Sequence, residues 1–276
     1  MTPYRVCVLG NSHSAALHMA WKNRLAPEMA NVAMTFFAAK SQLMRHMTLT
    51  NGVLVPDDRE LGDLLAATSG GLRRIDLSGY DAFVLAGLGA RITLTALCKD
   101  HGTVAHGRWG EPDNLVSQNC FRAMLAAGLA DNIAFWLLDR IRESGSTAPA
   151  LICPTPLYSE IELERPFMRR HPRLGDAAFR AAVMEEGKRI AFDLAAAHGG
   201  EMVWQDESTI AAPGYTKREF ARAALRLGKN PTDDGKHMNE DYGVVVLGNV
   251  LKRLDALSEG RVLARDTVVP FRRKSA

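Results

Sequence analysis

The serine of the segment Gly10-Asn11-Ser12-His13 is the first residue of this sequence that is placed for chemistry. A short apolar run, Val6–Leu9, precedes the segment, and a helix-compatible stretch begins at Ser14. A tight turn of small residues between a strand and a helix exposes a side chain beside free backbone N–H groups and the positive end of the helix. A serine in such a turn becomes a nucleophile when a general base reaches it.

The segment Asp234-Gly235-Lys236-His237 supplies the best candidate base. His237 is expected to take the proton of the Ser12 hydroxyl, which is too weakly acidic to attack at neutral pH. Asp234, three residues upstream, is expected to bind the far ring nitrogen and fix its tautomer. A simpler alternative is a helix N-cap aspartate beside an unrelated surface histidine.

Five short apolar runs and several helical stretches must position these residues. The runs are typical of strands that are buried on both faces of a parallel sheet. Because strands alternate with helices, the predicted fold class is α/β, a three-layer α/β/α domain with a parallel sheet of about five strands. The predicted strands are Arg5–Leu9, Val32–Ala38, Asp81–Leu85, Ala150–Pro154 and Glu201–Trp204. The predicted helical stretches are Ser14–Leu25, an apolar face from Phe121 to Trp136 that stops near Gly145, a helix capped by Asp176 and closed by Gly199-Gly200, and Met238–Leu257.

This arrangement explains how the two reactive segments meet. The Asp234–His237 segment is read as a loop that follows the last predicted strand and precedes the last helix. Such a loop lies at the same sheet edge as the turn after the first strand, since both follow the carboxyl ends of strands. The two segments are therefore expected to converge although about 225 residues separate them.

The length of 276 residues, with 47% hydrophobic and 24% charged residues, predicts a single domain over residues 1–276 with a sizeable core. Three connections are read as long loops, at 40–78, 91–117 and 205–234. The first contains a possible hairpin turn at Asn51-Gly52, and the last is expected to hold a helix at Thr216–Leu227. Such loops are either walls of a substrate site or surface decoration.

Several classes of function are excluded by composition. The formal charge of +3 is small and evenly spread, which argues against nucleic-acid binding, and no apolar run approaches the roughly 18–20 residues of a membrane span. The cysteines form no C-x-x-C pair, so a reducing, cytoplasmic compartment is predicted. No cofactor is expected, because nucleotide-binding motifs are lacking, and the spacing of Cys98, His101 and His106 is too loose for a zinc site. The sequence does not indicate an oligomeric state.

The two reactive segments together resemble the SGNH (GDSL-like) hydrolase superfamily, whose first sequence block is G-D-S and whose fifth is D-x-x-H. The residues Gly10 to Leu17, read as G-N-S-H-S-A-A-L, resemble the G-D-S-H-A form found in domains associated with carbohydrate O-acetyl transfer. The resemblance implies a flavodoxin-like sheet and ester chemistry, with an acyl group passing through Ser12 to water or to another hydroxyl.

The sequence departs from the family pattern at three places. Asn11 replaces the aspartate of the first block, a mild change because that residue mainly shapes the turn. The third block, G-x-N-D, is replaced by Ala86-Gly-Leu-Gly-Ala-Arg91, so the asparagine of the oxyanion hole is missing, and the second-block glycine is not evident. The backbone N–H groups of Ser12 and of Gly87 or Gly89, with Arg91, are the expected substitutes.

Three hypotheses follow. The first is a serine esterase that hydrolyses a small O-acyl ester, such as an acetylated carbohydrate. The second is a carbohydrate O-acetyltransferase that uses the same residues, and the third is a non-catalytic SGNH-like binding protein. His13, next to the nucleophile, either touches the substrate or caps the turn.

Overall fold

The computed structural model describes residues 2–89, 100–105, 114–164, 175–222 and 234–263. Its strands, in chain order, are β1 (Tyr4–Gly10), β2 (Val32–Ala38), β3 (Met47–Thr50), β4 (Val53–Pro56), β5 (Ile75–Asp76), β6 (Ala82–Ala86), β7 (His101–Gly102), β8 (Asn114–Leu115), β9 (Ala150–Cys153), β10 (Glu201–Met202), β11 (Ile210–Ala212), β12 (Tyr215–Thr216), β13 (Ala221–Arg222) and β14 (Asp234–Met238). Its α-helices are α1 (Ser14–Ala20), α2 (Arg59–Ser69), α3 (Gln118–Ala130), α4 (Ile133–Glu143), α5 (Ala177–Ala197) and α6 (Glu240–Leu257).

A parallel sheet with the strand order β10-β9-β6-β1-β2 lies at the centre of the described residues. Its side chains alternate between two apolar clusters, so that Cys7 and Leu9 of β1 face one cluster while Val6 and Val8 face the other. Helices α2 to α5 cover the first cluster, and α1 and α6 cover the second. The prediction of a three-layer α/β/α fold with five parallel strands is confirmed.

The sheet also explains the buried cysteines. Cys7 and Cys153 lie inside β1 and β9 and are almost inaccessible to solvent, as their apolar neighbours predicted. Burial raises the pKa of the Cys153 thiol to about 12 and that of Cys7 well above its ordinary value. Cys120 is exposed, and Cys98 lies outside the described residues.

The apolar face that begins at Phe121 does not belong to one helix. It continues over α3 and α4, which meet at a bend of 60°. Asn132 has an extended backbone conformation and begins α4, which breaks the helix between Ala130 and Ile133. Both helices pack against the same cluster, so their apolar residues keep the same spacing on both sides of the break. No single helix among those described is long and apolar enough to cross a membrane, although this bent pair passes that test jointly.

The connection at 40–78, read as a long loop, is largely ordered into regular elements. It contains the predicted hairpin, in which Asn51 and Gly52 have the positive φ angles of 50° and 78° that such a turn requires. It also contains α2, which the sequence analysis missed. The side chain of Asp58 caps this helix by accepting from the Leu61 N–H, and Gly70 ends it at φ 81°.

The helix expected at Thr216–Leu227 is wrong for the residues the structure describes. Thr216 lies in β12, and Ala221 begins β13. The Thr216 N–H donates to the Tyr158 carbonyl over 2.8 Å, and its hydroxyl donates to the Leu157 carbonyl over 2.7 Å. These buried long-range hydrogen bonds outweigh a local helical preference. Residues 223–227 lie outside the described ranges.

Candidate active site

Ser12 sits in a turn that leaves no room for larger residues. At Gly10, the last residue of β1, an added Cβ would lie 2.5 Å from the Cβ of Ser14. The Ser14 hydroxyl donates to the Asn11 carbonyl over 2.7 Å and closes the turn from inside. Ser12 itself is exposed, and its hydroxyl lies next to His237 of β14, outside the central sheet.

Asn11 ties this turn to the neighbouring strand. Its side-chain amide donates to the Gly87 carbonyl over 2.5 Å, just beyond β6, and its side-chain oxygen accepts from the His13 N–H over 2.9 Å. Because Asn11 is nearly buried, these bonds are shielded from water. Asn11, a predicted oxyanion or substrate residue, thus holds the turn in place.

The structure brings Ser12, His237 and Asp234 together in one hydrogen-bonded chain. The Ser12 Oγ lies 3.0 Å from the Nε2 of His237, and the Nδ1 of His237 lies 2.8 Å from the Oδ2 of Asp234. The nucleophile-to-base distance falls within the roughly 2.6–3.2 Å expected of a working pair. The arrangement can therefore move a proton from the serine hydroxyl to an imidazole whose tautomer is fixed by a carboxylate.

The Asp234 carboxylate also accepts bonds from the backbone. Its Oδ1 accepts from the N–H groups of Lys236 and His237 over 3.0 and 3.3 Å. Partial burial acts to raise the pKa of Asp234, but the Lys236 N–H, the bond to the His237 ring and the charge of that ring together bring the pKa below its ordinary value. Asp234 is therefore ionised at neutral pH, which suits an acceptor for Nδ1–H.

The segment that carries this pair is a strand rather than the predicted loop. β14 pairs antiparallel with β13, outside the central sheet. The Ser159 N–H donates to the Gly235 carbonyl over 2.8 Å, so the chain after β9 also holds β14 in position. Asn239 then caps α6 by accepting from the Tyr242 N–H, and its own N–H donates to the Phe220 carbonyl over 2.9 Å.

His13 lies against the imidazole of His237. The two ring centroids are 4.8 Å apart, and the rings are inclined by 25°, a stacked arrangement. His13 occupies the N-cap position of α1, but its side chain forms no capping hydrogen bond. The side chain of His13 therefore does not cap α1.

The predicted oxyanion donors Gly87 and Gly89 are occupied by other partners. The Gly87 N–H donates to the Cys153 carbonyl over 3.0 Å, and the Gly89 N–H donates to the Thr155 hydroxyl over 3.1 Å. Both glycines have positive φ angles, 70° and 113°, and a Cβ at Gly87 would lie 2.6 Å from that of His13. The expectation that these amides face the oxyanion is corrected: the last residue of β9 and Thr155, just after it, accept from both donors.

The remaining predicted donors divide into two groups. Among the hydrogen bonds of the described residues, none takes up the Ser12 N–H, which remains available beside its own hydroxyl. Arg91 lies outside the described ranges, as do Cys98 and His106 of the loose zinc-like spacing. The described part of the chain brings no three His, Cys, Asp or Glu side chains together as a metal site.

A cleft of about 470 Å³ opens beside Ser12, between the exits of β1 and β2. It is lined by small and apolar residues and by three side chains that the sequence analysis did not single out, namely His18, Phe36 and Lys40. The rings of His18 and Phe36 are stacked at 4.6 Å. Lys40 follows the carboxyl end of β2, so the edge rule that led to His237 could also have found it.

Comparison with known proteins gives only distant similarities. No family model and no curated protein matches the chain. Among solved structures, a lipase/acylhydrolase from Enterococcus faecalis is 12% identical with a TM-score of 0.41, over 92% of this chain and 96% of that one. A DUF4886 family protein from Bacteroides uniformis is 12% identical with a TM-score of 0.40, over 93% and 83% of the two chains. A salicylyl-acyltransferase from a tetracycline biosynthetic pathway is 12% identical with a TM-score of 0.36. That alignment covers 95% of this chain and 57% of the acyltransferase. At this distance, function is inferred from the geometry around Ser12.

Proposed function

We propose that this protein is an SGNH-type serine esterase that hydrolyses a small O-acyl ester. Ser12 is the nucleophile, His237 the general base and then the general acid, and Asp234 the residue that orients His237. The observation that carries the proposal is the continuous hydrogen-bonded chain from the Ser12 hydroxyl through His237 to Asp234, with distances of 3.0 and 2.8 Å. An acetyl group on a carbohydrate is the substrate that the sequence resemblance favours.

In this mechanism the Ser12 Oγ attacks the acyl carbon while His237 Nε2 takes its proton. The tetrahedral intermediate collapses, the bond to the alcohol oxygen breaks, and the protonated imidazole gives its proton to the leaving alkoxide. Water then attacks the acyl-Ser12 ester with His237 again as base, which releases the carboxylic acid and restores the serine. Asp234 keeps the proton on Nδ1 and stabilises the imidazolium that forms in each half-reaction.

Charge on the oxyanion is stabilised by the Ser12 N–H at the start of α1, where backbone dipoles also favour negative charge. One lost oxyanion donor costs about 2.7–4 kcal/mol of transition-state stabilisation. Since Gly87 and Gly89 direct their N–H groups elsewhere, we expect slow turnover unless a bound substrate supplies compensating contacts.

Hydrolysis is favoured over acyl transfer by the exposure of Ser12 and by the open cleft next to it. An acyltransferase has to keep water away from its acyl-enzyme, which is difficult at an exposed serine. A test that adds sugar hydroxyls to an activated acetyl ester separates the two. Release of acetate supports the esterase, and acetylated sugar as the main product would favour the transferase.

The third hypothesis, a non-catalytic binding protein, is favoured by the occupied Gly87 and Gly89 amides. A fluorophosphonate probe separates it from the esterase. The Ser12 Oγ would displace fluoride from phosphorus, with His237 taking the serine proton, and the adduct stays on the protein. Only a serine activated by a base reacts readily in this way.

We expect the wild-type protein to be labelled at Ser12 and to hydrolyse an acetyl ester, and Ser12→Ala to lose both activities. Ser208→Ala, which changes an exposed serine, is the matched control and should be labelled like the wild type. The measurement is the mass of the intact protein after incubation with the probe. An unlabelled wild type with the correct fold would overturn the esterase proposal in favour of the binding protein.

A further inference from the structure

The cleft beside Ser12 has a wall of ring side chains and a floor of small ones. Phe36 is almost fully buried and stacks on His18, while Ala15, Ala38 and Ala39 leave the floor open. The Ala39 N–H donates to the Gly10 carbonyl over 3.2 Å, which extends the contact between β2 and β1 by one residue. This bond brings the next residue, Lys40, to the rim of the same cleft as the nucleophile.

The described residues that line this cleft carry a net positive charge. Among its described lining residues Lys40 carries a full charge, and none is an aspartate or glutamate. Burial and the nearby Lys22 ammonium lower the pKa of His18, so this imidazole is neutral at neutral pH.

Three carboxylates on neighbouring described elements have other partners. Asp234 binds His237, Glu240 accepts from Asn23, and Asp241 pairs with Arg24 at 2.9 Å. No described ion pair neutralises Lys40. Lys40, exposed at the rim of this largely apolar cleft, therefore has no ion-pair partner among the described residues.

We propose, building on the esterase function above, that the ester attacked by Ser12 carries an anionic group, which the Lys40 ammonium binds while the uncharged part of the molecule packs against Phe36. The recognised chemistry is a carboxylate or a similar anion on a small ester. Opposite charges at the rim of a cleft attract the substrate and orient it, and this attraction weakens as salt is added.

The test compares pairs of esters that differ in charge. 4-Acetoxybenzoate and its methyl ester place the charge difference on the alcohol portion, whereas monophenyl succinate and phenyl butyrate place it on the acyl portion. For each pair, the ratio of kcat/KM for the anionic ester to that for the neutral ester is measured for the wild type, Lys40→Met and Lys40→Glu. Lys188→Met on α5, which covers the other face of the sheet, is the control.

We expect Lys40→Met to lower this ratio about fivefold in at least one pair, the upper end for an exposed ion pair. Lys40→Glu should lower it further, and Lys188→Met should leave it unchanged. The pair that responds identifies which portion of the ester Lys40 contacts. Equal ratios for the wild type and both Lys40 variants in both pairs would overturn the proposal.

Binding provides a readout that does not depend on catalysis. In a Ser12→Ala background the esters are not consumed, so calorimetry can measure the Kd of the anionic and neutral members directly. Lys40→Met should weaken binding of the anionic ester relative to the neutral one in this background. If no ester is turned over by the wild type but this charge preference persists, the esterase function fails and the anion site stands; turnover without the preference gives the opposite result.

Discussion

The His13 ring stacks on His237 at 4.8 Å while the His13 backbone is anchored by the Asn11 side chain at 2.9 Å. A ring held in this way limits the tilt of the His237 imidazole, whose Nε2 has to point at the Ser12 hydroxyl. We therefore expect His13 to act on the proposed reaction through the His237 side chain. This is the role of a residue that positions the His237 imidazole.

We expect His13→Ala to lower kcat about two- to tenfold with little change in KM, in line with the roughly 0.5–1.5 kcal/mol of a ring–ring contact. His13→Phe keeps a flat ring against His237 and should restore most of kcat. Steady-state kinetics on an acetyl ester measure both variants. If His13→Phe is as impaired as His13→Ala, the imidazole of His13 acts by its own chemistry and the positioning role is wrong.

At the scale of single residues, the sequence identified the types of side chain in the site better than their partners. Ser12, His237 and Asp234 were identifiable because a serine turn and a D-x-x-H spacing are local patterns. The use of the Gly87 and Gly89 amides was not, since their partners are the Cys153 carbonyl and the Thr155 hydroxyl, more than sixty residues away. The roles of the three side chains in catalysis stay predictions until Ser12 is tested.

At the scale of elements, the crossing of α1 and α6 controls the separation of Ser12 from His237. Ser12 lies just before α1, and His237 lies just before α6. The helices meet at Gly243, where an added Cβ would lie 2.1 Å from the backbone carbonyl oxygen of Ala16. Bonds from Asn23 to Glu240 and from Arg24 to Asp241 hold the same pair of segments together at the surface.

We expect Gly243→Ala to destabilise the protein by about 1–3 kcal/mol, the usual cost of overpacking, because a backbone carbonyl cannot move aside cheaply. Gly128→Ala in α3 is the control: its site is exposed, with nothing within 4 Å of the new methyl group. That change should stabilise by about 0.5–1 kcal/mol, since alanine is the better helix former. Urea unfolding measures both, and equal effects would show that the helix crossing is not tightly packed.

The helices and strands themselves were largely predictable, because the spacing of apolar residues and the capping residues at helix ends are local features of the sequence. The bounds of β2 match the prediction, and the Asp176 cap forms as expected, accepting from the Phe179 N–H over 2.8 Å. The signals of α2 were also present, an aspartate before it and a glycine after it, but were read as part of a loop. β14 could not be predicted from the sequence, since it forms through pairing with β13 and with the chain near Ser159.

At the scale of the whole molecule, several carboxylates make the folded state sensitive to acid. Partial burial acts to raise the pKa of Asp206, but bonds from Ser208 and Asn249 bring it below its ordinary value, and Asp234 is shifted in the same direction. A carboxyl group with a lowered pKa in the folded state stabilises the protein above its unfolded-state pKa. That contribution is lost as the pH falls through the folded-state pKa.

We therefore expect the free energy of unfolding to be steady near neutral pH and to fall below about pH 4, where the unfolded chain begins to take up protons before the folded one does. Urea denaturation at pH 7, 5, 4 and 3 measures this. Asp206→Asn should make the decline shallower. Stability that rises on acidification would contradict the role assigned to these carboxylates.

The hydroxyl and the imidazole of the proposed site are contributed by segments 225 residues apart in the chain. The two groups come together only when the central sheet has formed and β14 is in place outside it. We therefore expect the proposed site to form only after nearly all of the chain from Ser12 to His237 has been synthesised and has folded. Under the proposed mechanism, we expect proteolysis that frees either segment to abolish hydrolysis even where the rest of the fold survives.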